Sequence, residues 1–397
     1  MSPAREASDP RRRNLDAKVL CWMSEADWRD DEARFEALAG ELFSFQFEHC
    51  LPYSRFCEAR GVTPSKLSHW SEIPAVPTQA FKETRLHSFD RASTAKVFRT
   101  SGTTSQGRGA LYLDTLALYE ASLLPCIRRF VFPELIAGSK LETSKMSIRI
   151  LASDPGEADD SSLSHMFGVA LRELGEPTAS GFDSRDGVLD ATPLIERLLG
   201  LCETRADGKH HPPIALCGTS FAFVHLLEAF EQSPHAGAKL SLPLGSRIME
   251  TGGFKGRSRE VPRDELYAAL EQRLGIPAQN IVNQYGMTEL GSQFYDSLLF
   301  ESQTLDAPGP RRKLGPPWVR VRLIDPETGD TAKPGSVGMI VVHDLANTGS
   351  IAALQTTDLG RGIASAADGF EVLGRAADEE ERGCSIAADA LWHEVGR

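Results

Sequence analysis

The chain has 397 residues, 41% hydrophobic and 25% charged, which is enough for a large core and two or three domain-sized units. Its net charge of -12 argues against nucleic acid as the main partner, since a phosphate-backbone binder needs a basic footprint. No run approaches the roughly 20 apolar residues of a membrane span, and Met1 to Arg13 lacks the apolar segment of a signal peptide, so a cytoplasmic protein is expected.

The N-terminal stretch, residues 1–40, reads as helical or flexible. The dense basic run Arg11-Arg12-Arg13 is expected to be solvated. From Ala17 to Glu58 apolar residues recur at helical spacing in Phe35, Leu38, Leu42 and Phe45. Pro64, Pro74 and Pro77 then impose a loop-rich approach to Val97–Leu113, which carries a Gly/Ser/Thr-rich loop. A helix is expected at Thr115–Leu124.

The middle of the chain repeats one pattern. Ile214–Cys217, Ser246–Met249 and Asn280–Tyr285 are short apolar runs. They are closed by the polar turns Gly218-Thr219-Ser220, Glu250-Thr251-Gly252-Gly253 and Gly286-Met287-Thr288-Glu289. Helical patterns lie between them, at Phe223–Phe230 and at Asp264–Leu274, with Gly275 in the C′ position. Short strands alternating with helices predict a mostly parallel α/β sheet, whose ligands bind at the carboxyl ends of the strands. The core is expected over residues 41–315.

Residues 316–397 look β-rich. Val319, Val321 and Leu323 alternate with Arg320 and Arg322, and Gly338–His343 is a second strand candidate. Thr356–Gly360 reads as a turn and Gly369–Gly374 as a short strand. The seven cysteines (Cys21, Cys50, Cys57, Cys126, Cys202, Cys217 and Cys384) are scattered with no C-x-x-C pair. That pattern predicts reduced thiols and neither a disulfide framework nor a zinc site.

Three motifs can carry chemistry. In Ser101-Gly102-Thr103-Thr104 a glycine permits close backbone approach and hydroxyls lie beside backbone N–H groups, which suits phosphate oxygens. The spacing is not that of a Walker A loop, and a polar surface turn fits the four residues equally well. In Gln284-Tyr285-Gly286-Met287-Thr288-Glu289, Tyr285 can stack on a base, Thr288 can donate to a phosphate, and Glu289 is a hard oxygen ligand suited to Mg²⁺. Asp358 can accept from both ribose hydroxyls, and Arg375 can donate to the sugar or a phosphate.

In this order the segments resemble the adenylate-forming superfamily of acyl-CoA synthetases, peptide-synthetase adenylation domains and luciferases. Ser101–Thr104 resembles its phosphate loop, Glu250–Gly253 its adenine-lining segment, Tyr285–Glu289 its Y-G-x-T-E motif, and Thr357-Asp358-Leu-Gly360 with Gly374-Arg375 its ribose segments. Pro74–Lys82, Gly218–Phe221, Thr251–Gly256 and Arg382-Gly-Cys-Ser385 are similar to one branch, the acyl-protein synthetase (LuxE) family.

The resemblance implies an α/β large domain of mostly parallel sheets flanked by helices and a smaller β-rich C-terminal subdomain, and the lid of full superfamily members is expected to be truncated or absent here. It implies ATP and Mg²⁺ as cofactors and a fatty or aryl acid as substrate, activated as an acyl-adenylate. Ser101, Gly102, Thr103, Thr104, Gly252, Gly253, Gln284, Tyr285, Gly286, Met287, Asp358 and Arg375 would bind nucleotide. Glu289 would hold the metal, with Thr288 beside it. The acyl group would pass to Cys384 and on to an acyl reductase. Coenzyme A or a carrier protein is the alternative acceptor, and a degenerate nucleotide-binding scaffold the alternative to an enzyme. An acidic carrier would need a local basic patch, for which Arg311-Arg312-Lys313 is the candidate. The acid is expected near Gly218, Thr219, Ser220, Phe221 and Phe223, with His225 beside them.

Two departures from the superfamily pattern stand out. The loop continues Ser105-Gln-Gly-Arg108 where the superfamily usually has Pro-Lys-Gly, and an arginine fork is not a lysine point charge. The last lysine is Lys333, so the usual lid lysine has no counterpart in its place. Lys255, Arg257 and Arg108 are the candidate replacements.

Overall fold

The computed structural model describes residues 7, 9–100, 107–135, 145–203, 211–252, 261–363 and 369–375. The chain divides into two compact units. One comprises Cys126–Tyr285 and Tyr295–Arg311. The other comprises Met1–Pro125, Gly286–Phe294 and Arg312–Arg397.

The first unit is built on parallel strands: β1 (Ser147–Leu151), β2 (Ile214–Thr219), β3 (Arg247–Thr251) and β4 (Ile281–Tyr285). They pair in the order β1-β2-β3-β4, as the alternation of short apolar runs and helices requires. β2 is buried along nearly its whole length, because a strand covered on both faces must be apolar throughout. Leu194 and Leu198, Phe223, Leu226 and Phe230, and Leu266, Leu270 and Leu274 come from three helices. They join Ile214, Leu216, Ile248 and Ile281 in one core. Gly275 ends the Arg263–Leu274 helix with φ of 68° and donates its N–H to the Glu271 carbonyl at 2.9 Å, the expected C′ role.

In the second unit the N-terminal helical region is three helices, Pro10–Met23, Glu32–His49 and Leu51–Glu58. Asp9 caps the first through Arg11 N and Arg12 N, and Asp31 caps the second through Arg34 N. Phe35, Leu38, Leu42 and Phe45 are buried, as their spacing predicts. The arginine run is not uniformly solvated. Helical periodicity turns Arg12 inward with Leu15, Asp16 and Val19, and it is only 2% exposed. Its Nε donates to Asp16 and Thr348, and its Nη2 to Asp114.

This unit also carries an antiparallel sheet, β5 (Val319–Ile324), β6 (Val337–Asp344), β7 (Ala353–Gly362) and β8 (Phe370–Arg375), paired in that order. Thr356–Gly360 lies within β7 and is not a turn. Leu359 and Gly360 pair with neighbours on both sides, Asp358 pairs with Arg375, and the register shifts over Thr356–Asp358 on the β6 side; Gly360 lets β6 approach, since a Cβ there would come within 2.9 Å of Ile340. Among the described residues no helix is long and apolar enough to cross a membrane.

Candidate active site

In the first unit, β2, β3 and β4 end side by side. Thr219 is the register partner of Thr251, and Thr251 that of Gln284, so three of the polar segments singled out above adjoin across neighbouring strand ends. Gln284 is buried and Tyr285 half-buried, while Gly252 is exposed with nothing within 4 Å of where a Cβ would stand. The Thr219 hydroxyl accepts from Ala222 N at 3.1 Å and caps the Ser220–Gln232 helix. Phe221 is half-buried, with its ring centroid 4.3 Å from that of the exposed His225 in an edge-to-face arrangement, whereas Phe223 is wholly buried in the core. Gly218 is needed for packing, since a Cβ there would lie 2.9 Å from that of Leu151.

The centre of this strand-end cluster is a residue that the sequence marked only as part of a polar turn resembling the adenine-lining segment. Glu250, 2% exposed, accepts from Ser220 Oγ at 2.5 Å on one carboxylate oxygen. On the other it accepts from Tyr267 OH at 2.8 Å and Asn283 Nδ2 at 2.5 Å. Burial, together with the Glu250 charge, drives the Tyr267 phenol well above its ordinary range, so it stays a donor. Asn283 N in turn donates to Asp296, which also accepts from Arg311 at 2.6 Å. The available signal was a carboxylate directly after the apolar pair Ile248-Met249 of a central strand, where a buried charge must find donors.

In the second unit, Glu289 lies beside the base of the loop expected to hold phosphate. It is 6% exposed, and a Cβ on Gly109 would stand 3.5 Å from its Oε1 and 3.1 Å from Thr100 Cγ2. The strands Lys96–Arg99 and Ala110–Leu113 pair to form that base. Thr100 N donates to the Gly109 carbonyl, and Gly109 N to Thr100 Oγ1, both at 2.9 Å. Arg108 donates to the carbonyls of Thr100 at 2.6 Å and Arg99 at 3.3 Å. Gly286, Met287 and Thr288 are half-buried just before Glu289, and Leu290 N closes the turn on the Met287 carbonyl. Asp358 and Arg375 are cross-strand partners on β7 and β8, with Nε 4.0 Å from Oδ1. The aspartate side chain is mostly covered and the arginine mostly exposed.

Ser101, Gly102, Thr103, Thr104, Gly253, Lys255, Arg257 and Cys384 lie outside the described residues. Arg311-Arg312-Lys313 does not form a basic surface patch. Arg311 is committed to Asp296 and to the Ile281 and Ala278 carbonyls, and Arg312 and Lys313 are 8% and 3% exposed. Arg311 is drawn inward by its acceptors and Lys313 by strand pairing with Phe370, which a run of like charges does not reveal.

The fold that carries these strand ends and the buried Glu289 is that of the adenylate-forming ligases. The structure is similar to that of 2-hydroxyisobutyryl-CoA ligase in an open conformation with 2-HIB-AMP and CoA, with a TM-score of 0.59 at 16% identity over 90% of this chain and 81% of that one. It is also similar to the same ligase in the postadenylation state, with a TM-score of 0.55 at 15% identity over 85% of this chain and 68% of that one. Two long-chain-fatty-acid–luciferin-component ligases are related in sequence. The Aliivibrio fischeri protein is 24% identical over 84% of this chain and 81% of its own length, and the Vibrio harveyi protein 23% identical over 87% and 84%. The model of the acyl-protein synthetase (LuxE) family matches residues 14–391, and the chain belongs to that family. It is an acyl-adenylate-forming ligase, which activates a carboxylic acid with ATP before acyl transfer.

Proposed function

We propose that the chain activates a fatty acid and delivers its acyl group to a thiol. The substrate class follows its relatives, which are long-chain-fatty-acid ligases. The observation that carries the site assignment is the placement of Glu289 beside Thr100 and Gly109, at the base of the Ser101–Thr104 loop. In the first step a carboxylate oxygen attacks the α-phosphorus of ATP and pyrophosphate leaves. In the second a thiolate sulfur attacks the acyl carbon and AMP leaves with the bonding pair.

The protein's part in the first step is to orient the reactants and meet the developing charge with fixed donors. Thr100, Gly109 and Arg108 hydrogen-bond one another at the base of the segment whose hydroxyls and N–H groups suit phosphate oxygens. Among the described residues no cluster of three or more acidic, histidine or cysteine groups could hold a metal. A single carboxylate fits Mg²⁺, which binds through one or two carboxylates and the substrate phosphates, and Glu289 is that carboxylate. When bound, the ion would neutralise phosphate charge. Asp358 and Arg375 form the ribose end, Gln284, Tyr285 and Gly252 the base-facing strand ends, and Thr219 with Phe221 the acid-facing turn.

The test is acid-dependent exchange of labelled pyrophosphate into ATP. Glu289→Ala should keep its fold and size and lose about 10²–10³ in exchange rate, the usual cost of one transition-state contact. Undiminished exchange would remove Glu289 from the site. Cys384 is the proposed acyl acceptor. Label from a radioactive fatty acid should survive denaturing electrophoresis, yield to hydroxylamine and disappear in Cys384→Ser. Equal labelling of that variant would move the acyl group to another nucleophile of the chain, and an unlabelled wild type would leave coenzyme A or a carrier as the acceptor.

A further inference from the structure

Glu250 stands where three elements converge. Ser220 is the first residue of the helix that follows the acid-facing turn, and its hydroxyl donates to one carboxylate oxygen. Asn283 immediately precedes Gln284 and Tyr285 on β4, and its amide donates to the other. Tyr267, on the Arg263–Leu274 helix, shares that second oxygen. Gly218 and Asn283 are both register partners of Glu250, so the carboxylate braces the strands on either side of its own. A buried carboxylate with three donors is a rigid node. Each bond to an ionised acceptor is stronger than a neutral one, and leaving any donor unmade is expensive in so dry a place. Glu250 is too deeply buried to meet a substrate itself, and its effect must pass through the segments it holds.

We infer that Glu250 is a positioning residue that fixes the acid-facing turn through Ser220 and the base-facing strand end through Asn283, so that one side chain sets the geometry of both. This rests on the assignment of those segments under the proposed function. It makes the two arms separable and the node inseparable. Removing the Ser220 arm disturbs the acid side alone, removing the Asn283 arm disturbs the nucleotide side alone, and removing Glu250 disturbs both. Glutamine at the node keeps an acceptor for Tyr267 and Asn283, and its NH₂ meets a Ser220 hydroxyl that can turn to accept, so Glu250→Gln should restore most of what alanine loses.

The experiment measures the affinities of ATP and of hexadecanoate separately, by calorimetry on the full chain, with pyrophosphate exchange alongside. Glu250→Ala is expected to weaken both by about tenfold or more, the equivalent of one charge-assisted hydrogen bond. Ser220→Ala should weaken hexadecanoate only, Asn283→Ala ATP only, and Glu250→Gln should lie near wild type. If Glu250→Ala does not fold, the crossed pattern of the two single-arm variants decides. Both affinities unchanged in Glu250→Ala, or both lost in either arm variant, would overturn the inference. A wild type that binds both probes but exchanges no pyrophosphate removes the proposed activity and leaves the arm pattern to decide on Glu250. A wild type that binds neither overturns both.

Discussion

Asn347 donates through Nδ2 to the main-chain carbonyl of Glu289 at 2.8 Å, tying the turn after β6 to the segment that carries the proposed metal ligand. The same amide reaches the Ile351 carbonyl at 3.3 Å, and the Asn347 carbonyl accepts from Gln46 at 2.8 Å. Three residues on, Ser292 N and Oγ both donate to Asp344 at 2.7 Å. Gly291 fits between, since a Cβ there would stand 2.8 Å from that of Ala346. Asn347→Ala leaves a buried carbonyl without its donor, a loss of about 1–3 kcal/mol. A lower urea midpoint together with reduced pyrophosphate exchange is expected. Reduced stability with full exchange would show that this clamp does not set the position of Glu289.

The arginine run offers a contrast between neighbours. Arg12 is buried between Asp16 and Asp114, and Arg11 makes an exposed pair with Glu48. Removing one partner of a buried pair strands the others, and burial already pushes the Asp16 carboxyl above its ordinary range despite Arg12. Arg12→Met should cost about 3–5 kcal/mol by denaturant unfolding. Arg11→Ala should leave the midpoint nearly unchanged, because exposed pairs contribute little. Equal, small effects for both would mean that the first helix is not docked through Arg12.

Gly275 holds a left-handed φ of 68°, and a Cβ there would lie 2.8 Å from the Leu240 carbonyl oxygen. Gly275→Ala therefore meets both backbone strain, about 1–2 kcal/mol, and a backbone atom that cannot rotate away. Stability should fall with affinity for ATP unchanged. A midpoint equal to wild type would mean that the helix ends differently.

How much of this was legible in the sequence depended on how local the cause was. The strands β2, β3 and β4 were visible because each is a short apolar run closed by a polar turn, and Gly275 because a helix C-terminus has its own residue preference. The strand through Thr356–Gly360 was not, because its glycine-containing composition says turn and only its partners on β6 and β8 make it a strand. Arg12 looks like Arg11 until the helix is docked. Glu250 was hidden most thoroughly. Its donors lie 30 residues before it and 17 and 33 after it, so no window of sequence contains the node. Glu289 was singled out through its motif, but its neighbours Thr100 and Gly109 come from a hairpin far upstream.

The adjacent pair His343 and Asp344 should give the stability curve a pH signature that single substitutions unmask. Both are buried at the end of β6. Burial, helped by the Arg322 charge, pulls the His343 imidazole down to about 3, and its Nε2 has no hydrogen-bond partner. Burial pushes the Asp344 carboxyl up to about 6, against the hydrogen bonds from Ser292 and Ala346. The signs are opposite. The histidine's contribution is complete above its unfolded value near 6.5 and is lost as pH falls toward 3. The aspartate's contribution is complete below its unfolded value near 3.8 and is lost as pH rises through 6. Between about pH 4 and 6 each slope approaches ~1.4 kcal/mol per pH unit, and the two nearly cancel. Relative to wild type, His343→Leu should therefore gain stability as pH falls across that window, and Asp344→Asn should lose it. Urea unfolding at about pH 4, 5 and 6 reads both differences, since any other titrating group is common to all three proteins. Curves that run parallel to wild type would mean that neither side chain titrates across the folding transition in that range.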